Sequence, residues 1–416
     1  MDSTTLADVI YGFCTGWRRV TWTLACGLLL GTFGQLAQAQ HTCEATDHGM
    51  HADGSDNTAA LTRTLSECAG RSIHVASGTY VFSPTGFAPG FRMPPDTSLV
   101  GEGSQGAQQT VFQIAPTGNF QALLWVRNVS NVAIRGIRFE GGSYESGCVR
   151  HLDYGHAIYV QSDAGESRAV EGVEISGNAF HDFNGQSWIT VNAANSSPGV
   201  GLNSAVAIRN NVFDSDADLR GGCAGSLGIS YPVMMVWLHG SDDSAQGLVA
   251  NAAVESNTFN AAYVKGAVVT WSGTRTISIE HNLIRDAGLR LPPAPGTELG
   301  RYAILVYQSS HERPGLPPDT VRVASNVITN AVSCGIYVAG GRNLEIIANR
   351  ISGQSDRWDA TLPKGAISLN HVKNVSALQD NELADNYIGI SSVGSEINMG
   401  SNNISAPPGG VREKIR

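Results

Sequence analysis

Between about residue 170 and residue 405, apolar and polar positions alternate in short runs. Each run ends in Asn, one further residue and a large apolar side chain. The runs are Val173 to Phe180, Val206 to Phe213, Ala252 to Phe259, Ile277 to Ile284, Val321 to Ile328 and Leu344 to Ile351. The Asn stands at 178, 211, 257, 282, 326 and 349, with weaker copies at 381 and 402. Period-2 alternation predicts strands with one apolar face, and the Asn predicts a tight turn through its tolerance of left-handed backbone angles. A second phrase, Ile-x-Val with one residue before it, follows after a variable gap at Ala157 to Val160, Trp188 to Val191, Ala303 to Val306, Gly335 to Val338 and, as Ile-x-Leu, Ala366 to Leu369. Each repeat therefore predicts strand, Asn turn, strand, variable loop, strand and a turn into the next repeat. Self-similarity on this scale predicts a solenoid in which the Asn side chains stack as an internal ladder.

These phrases, together with Asp53 to Leu61 and Gly78-Thr-Tyr-Val-Phe82, resemble the pectate-lyase-like superfamily. The resemblance covers roughly residues 50 to 405 and implies an all-β, single-stranded right-handed parallel β-helix of roughly ten coils. It also implies a short helix capping the first coil. It is specific for fold and weak for reaction, since one fold hosts many chemistries. The polygalacturonase set of Asn-x-Asp, Asp-Asp, Gly-His-Gly and Arg-x-Lys is missing, and so is the Asp-Pro-His of mannuronan epimerases. No catalytic residue therefore carries over.

Residues 1–39 read as a signal peptide: Arg18 and Arg19 precede an apolar run from Thr23 to Gly34, and Ala37-Gln-Ala39 offers a small-x-small cleavage site. The mature chain is expected to be secreted or periplasmic, with no membrane attachment after cleavage. Residues 40–120 read as the cap and first coils, continuous with the repeats of 121–405, and 406–416 as a tail. Cys43 and Cys68 flank the predicted helix and are placed to staple it. Cys148 and Cys223 are placed to bridge neighbouring coils, and Cys334 reads as a thiol buried in the interior. This usage fits an oxidising compartment, with the connectivity left open.

The formal charge of −9 and the scarcity of Lys (Lys265, Lys364, Lys373 and Lys414) argue against a nucleic-acid partner, which requires a basic stripe. Charged residues make up 15% of the chain, which predicts a polar surface with few ion pairs. The chain is expected to act as a monomer.

Ladder Asn residues are 21 to 46 apart, and the excess over the shortest spacings falls beside the Ile-x-Val strands. Insertions collected on one side of a solenoid wall a binding face. With Ile158 and Val160 inward, that face presents Tyr159 and Gln161, Thr190 and Asn192, Trp237 and His239, Leu305 and Tyr307, Tyr337 and Ala339, then Ser368 and Asn370. Trp271 belongs to an intervening coil. Aromatic, amide and imidazole side chains in one row suit a sugar groove, because rings stack on pyranose C–H faces while amides take hydroxyls. Tyr159, Gln161, Asn192, Trp237, Trp271, Arg301, Tyr307 and Asn370 are the expected substrate-binding residues, and the expected partner is a polysaccharide or oligosaccharide.

For chemistry, glycoside hydrolysis requires two carboxyl groups at a set separation. Loop carboxylates beside the central strands qualify, foremost Asp153, Asp182, Asp218, Asp242 and Glu298, with His239 as a further acid–base candidate. β-Elimination or epimerisation on a uronate polymer is the alternative. It would draw on Arg220, Arg301, Arg313, His239, Tyr154 and Tyr307, and on Ca²⁺, for which Asp214-x-Asp216-x-Asp218 offers oxygens. A non-catalytic carbohydrate-binding protein is the third reading. In His151-x-Asp153-Tyr-Gly-His156, strict alternation turns His156 inward and leaves His151 and Asp153 to the loop. No zinc-ligand spacing or phosphate loop is present, so no cofactor is expected outside the lyase reading.

Overall fold

The computed structural model describes residues 42–83, 90–115, 121–141, 155–163, 169–183, 187–193, 203–215, 234–240, 247–290, 301–308, 316–353, 365–386, 388–405 and 411–415. Three parallel sheets of 12, 11 and 11 strands run the length of this region. In each coil the chain passes from the first sheet through an Asn corner into the second, then across a loop into the third. One complete coil is Glu171–Ser176, Ala179–His181 and Ser187–Asn192. The next coil, beginning at Asn203–Arg209, pairs with it in parallel register. This is the single-stranded right-handed parallel β-helix that the repeat implies.

The ladder Asn residues stack as expected. The Asn257 backbone N–H and side-chain amide both donate to Asn282 Oδ1, at 3.0 and 3.1 Å, and Asn257 Nδ2 also reaches the Ile208 carbonyl at 2.9 Å. The same pattern links Asn178, Asn211, Asn257, Asn282, Asn326, Asn349, Asn381 and Asn402. The ladder thereby satisfies corner groups that a dry interior would otherwise strand. The left-handed residue, however, is the one before each ladder Asn: Gly177, Asn210, Ser256, His281, Ser325, Ala348 and Asp380. The ladder position selects Asn for its amide, which both donates and accepts, rather than for its backbone freedom.

Inside the second sheet Phe139, Phe180, Phe213 and Phe259 stack at centroid distances of 5.0, 4.8 and 4.6 Å, and Ile284, Ile328, Ile351 and Leu383 continue the column. At the N-terminal end the helix Thr58–Glu67 buries Ala60, Leu61 and Leu65. Cys43 and Cys68 form the expected disulfide, which ties the first strand to the end of this helix. Residues 411–415, set apart by the sequence as tail, instead form a strand that pairs with Ile388–Val393. Cys148, Cys223 and the signal segment lie outside the described residues. No described helix is long and apolar enough to cross a membrane.

Two expectations require correction. Outward on the first sheet, Glu174 accepts from both Arg135 and Arg209, and Arg322 bridges Glu280 and Glu345 at 3.1 and 2.6 Å. Charges are sparse, but parallel register brings opposite signs together on neighbouring coils, so this face is ion-paired. In the third sheet, alternation breaks once per strand. Ala157 and Ile158 are consecutive and both enter the interior core, as do Met235 with Val236 and Ala303 with Ile304. The His156 column, continued by Met234, Tyr302 and Cys334, consequently lies on the outer side, where those three residues pack with Trp237, Leu305 and Tyr337. His156 and Cys334 are buried, but beneath the groove face rather than in the lumen.

Candidate functional site

Strand register fixes two outer rows on the third sheet. One runs Trp125, Tyr159, Thr190, Trp237, Val269, Leu305, Tyr337 and Ser368, each paired with the next. The other, two residues on, runs Arg127, Gln161, Asn192 and His239, then Trp271, then Tyr307, Ala339 and Asn370. The expected binding residues other than Arg301 thus fall in these two rows, and Trp271 takes its place directly after His239.

The rows condense into two aromatic clusters. In the earlier coils Tyr159 stacks between Trp125 (6.1 Å) and His156 (5.0 Å). Its polar atoms are spoken for: Trp125 Nε1 donates to Gln161 Oε1 at 3.1 Å, and Asn192 Nδ2 donates to the Tyr159 hydroxyl at 2.7 Å. His156 Nδ1–H donates to the Ser187 carbonyl at 2.6 Å, which leaves that nitrogen no role as a base. Arg127 lies 4.6 Å and Arg92 5.5 Å from the Trp125 ring centroid, and Arg127 also pairs with Asp163.

In the central coils Trp237 stacks on His239 at 4.5 Å with planes 13° apart. Trp271 stands edge-on to both at 6.2 Å and meets Tyr307 at 4.3 Å. Met234, Val269, Tyr302, Leu305, Cys334 and Tyr337 complete this cluster. Farther along, Asn370 Nδ2 donates to the Tyr337 hydroxyl at 3.4 Å. Burial raises the Tyr337 phenol against that hydrogen bond, and burial also raises the Cys334 thiol.

Arg301 sits at the opposite end of its strand from Tyr307, with its guanidinium donating to the Gly288 carbonyl at 2.9 Å. The position before the strand in the preceding coil is Lys265, a half-buried ammonium lowered by burial and then by the Arg301 charge. Asp182 occupies a left-handed corner (φ 50°) after the second-sheet strand, 3.4 Å from His181, and belongs to neither groove row. Asp286, Asn330 and Asp385 hold the same kind of corner in later coils. Asp153, Asp218, Asp242 and Glu298, with His151, Tyr154, Arg220 and Arg313, lie outside the described residues.

Sequence reading missed Trp125, Arg127 and Lys265. The first two were visible in Leu124-Trp-Val126-Arg127, which repeats Ile158-Tyr-Val160-Gln161. Lys265 carries no such phrase.

No known protein family and no curated protein sequence matches the chain. Solved structures do match in fold. The surface adhesin PfbA of Streptococcus pneumoniae superposes with a TM-score of 0.60 at 13% identity, over 90% of this chain and 93% of that one. The tailspike protein of Escherichia coli bacteriophage HK620, solved in complex with a pentasaccharide, gives 0.53 at 13% identity, over 90% and 64%. A family 28 exopolygalacturonase of Yersinia enterocolitica gives 0.50 at 12% identity, over 91% and 78%. At these identities the likeness establishes the parallel β-helix fold alone.

Proposed function

We propose that the protein is an exported carbohydrate-active β-helix that holds a polysaccharide along the outer face of its third sheet, with the glycan chain parallel to the solenoid axis. The observation that carries this reading is the continuous row Gln161, Asn192, His239, Trp271, Tyr307 and Asn370. It offers one amide, imidazole or ring per coil over most of its length, at the ~4.8 Å strand spacing. Similarity in fold to an adhesin, a tailspike solved with a pentasaccharide and a polygalacturonase is consistent with a glycan ligand.

The second reading adds hydrolysis of the bound chain. It is favoured by the position of Asp153, Asp242 and Glu298, each within four residues of a groove strand. Successive members of this set are two coils apart, with Asp153 and Glu298 before their strands and Asp242 after its own, so the ~5–9.5 Å that a carboxyl pair requires would be met through the loops that carry them. Among the described residues, the carboxylate beside the groove rows is Asp163, which Arg127 holds.

The test is to incubate the protein with neutral and uronate polysaccharides, with and without a Ca²⁺ chelator, and to follow binding, reducing ends and the absorbance of unsaturated uronides. Reducing ends without new absorbance establish the hydrolase. Both together establish a Ca²⁺-assisted or metal-free lyase, according to the effect of the chelator. Binding alone leaves a carbohydrate-binding protein, and no binding across the panel refutes the groove.

A further inference from the structure

Trp125 and Trp237 occupy the same row of the same sheet, yet their indole N–H groups meet different ends. Trp125 Nε1 finds the Gln161 amide oxygen, which projects from the following coil in the second row. The residue in that place relative to Trp237 is Trp271, which offers a ring and no acceptor. Trp237 is only 9% exposed, and its Nε1 is buried with no hydrogen-bond acceptor among the described residues. A buried N–H without a partner is rare and costly in a native fold. Trp237 packs in one cluster with the apolar side chains Met234, Val269 and Leu305.

The chemistry of the missing acceptor is narrow. A carboxylate is disfavoured, because the rings and aliphatic side chains around Trp237 would desolvate it and Arg301 lies at the far end of its strand. A hydroxyl can also accept, but it carries its donor on the accepting atom, so that donor is buried with it and needs a second partner such as the His239 imidazole stacked on Trp237. An acetamido group accepts through a carbonyl oxygen that carries no hydrogen, turns its methyl group to the apolar side chains, and keeps its own N–H beside the sugar ring, at the mouth of the groove. We infer that Trp237 is a specificity-determining residue whose indole N–H receives the carbonyl oxygen of an N-acetyl substituent on a hexosamine unit, with the methyl group against Met234, Val269 and Leu305. This rests on the glycan reading of the groove and deepens it. Reaching Nε1 requires the rings around it to part, so the Trp271 indole should respond as well.

Three probes share one linkage and length and differ only at carbon 2: tetramers of β-1,4-linked N-acetylglucosamine, of glucosamine and of glucose. Affinities are measured for the wild type and for Trp237→Phe, and the tryptophan indole N–H resonances are followed, Trp237 being assigned by its loss in the variant. The expected result is at least tenfold tighter binding of the acetylated tetramer, a downfield shift of the Trp237 resonance with it, and no preference in Trp237→Phe. Equal binding of all three by the wild type overturns the inference, as does a preference that survives in the variant. Binding of another glycan with the Trp237 resonance unmoved also overturns it, while leaving the groove intact. Failure to bind any glycan removes the groove reading and this inference together. Should Trp237→Phe fail to fold, the Trp237 resonance is assigned in the isotope-labelled wild type from its nuclear Overhauser contacts with the Val269 and Leu305 methyl groups, and its shift decides.

Discussion

The first and third sheets are built from the same kind of strand in the same parallel register, yet their outer faces differ. On the first sheet opposite charges meet across neighbouring coils: Glu174 sits between two arginines, Arg322 between two glutamates, and Asp319 beside Arg342 at 2.9 Å. On the third sheet the outer rows are dominated by rings and amides, and at Trp237 a buried donor has no acceptor among the described residues. The first face completes itself and the third does not. Within the third face the contrast recurs, because the Trp125 cluster is closed by Gln161, Asn192 and two arginines while the Trp237 cluster is not. A repeat fixes where side chains stand, but the polar partner one coil away determines whether a position is structural or open to a ligand.

Trp125→Ala would break the comparison most severely. It removes a buried ring that Tyr159 and two arginines pack against, and it should cost about 3–5 kcal/mol of stability by chemical denaturation. Trp271→Ala should instead act on binding, weakening glycan affinity by about 2 kcal/mol or more, as a central aromatic anchor does. Arg322→Met should leave that affinity unchanged. Titration calorimetry reads both, and equal effects from the two substitutions would erase the distinction between the faces.

Gln161→Leu sharpens the contrast inside the groove. Its amide accepts from Trp125, so the substitution should strand a buried donor and cost about 1–3 kcal/mol of stability, with a smaller effect on glycan affinity. A large loss of affinity at unchanged stability would return Gln161 to the ligand-contacting set.

The smallest effect belongs to the ion-paired face. Burial pushes the Glu174 carboxyl up, but hydrogen bonds from Arg209, Arg135 and Ser176 outweigh it and hold the group at about 2, below its ordinary 4.5. A carboxyl lowered in the folded state contributes stability that is complete above pH 4.5 and is lost as the pH falls toward 2. Glu174→Gln should flatten that part of the thermal-midpoint profile by less than about 1 kcal/mol, since its partners are largely exposed. A full-size pH dependence in the variant would show that other carboxylates carry it.

Much of this was legible before any coordinates. The recurring Asn phrase named the solenoid, the ladder and the column of Phe180, Phe213 and Phe259, because one coil stacks on the next in constant register. Tyr159, Trp237, Tyr307 and Asn370 could be placed outward from Ile-x-Val alone. His156 and Cys334 were misplaced for a local reason: two consecutive inward residues, such as Ala157 and Ile158, break the period-2 rule once per strand, and a small side chain at the first of them hides the break. The ion pairs of the first sheet escaped composition because a charge count carries no register.

Residues within one coil are set by alternation, turn chemistry and burial, all of which are local and written in the chain. The solenoid, the inward and outward faces and the ladder were therefore determined by the sequence. Pairing between coils joins residues 21 to 46 positions apart along the ladder, across loops of unequal length, as from Trp125 to Gln161 or Asn211 to Asn257. Only the tertiary structure decided that Trp125 has an acceptor and that Trp237 has none among the described residues, because a hydrogen bond depends on which atoms meet and no period in the sequence records that meeting.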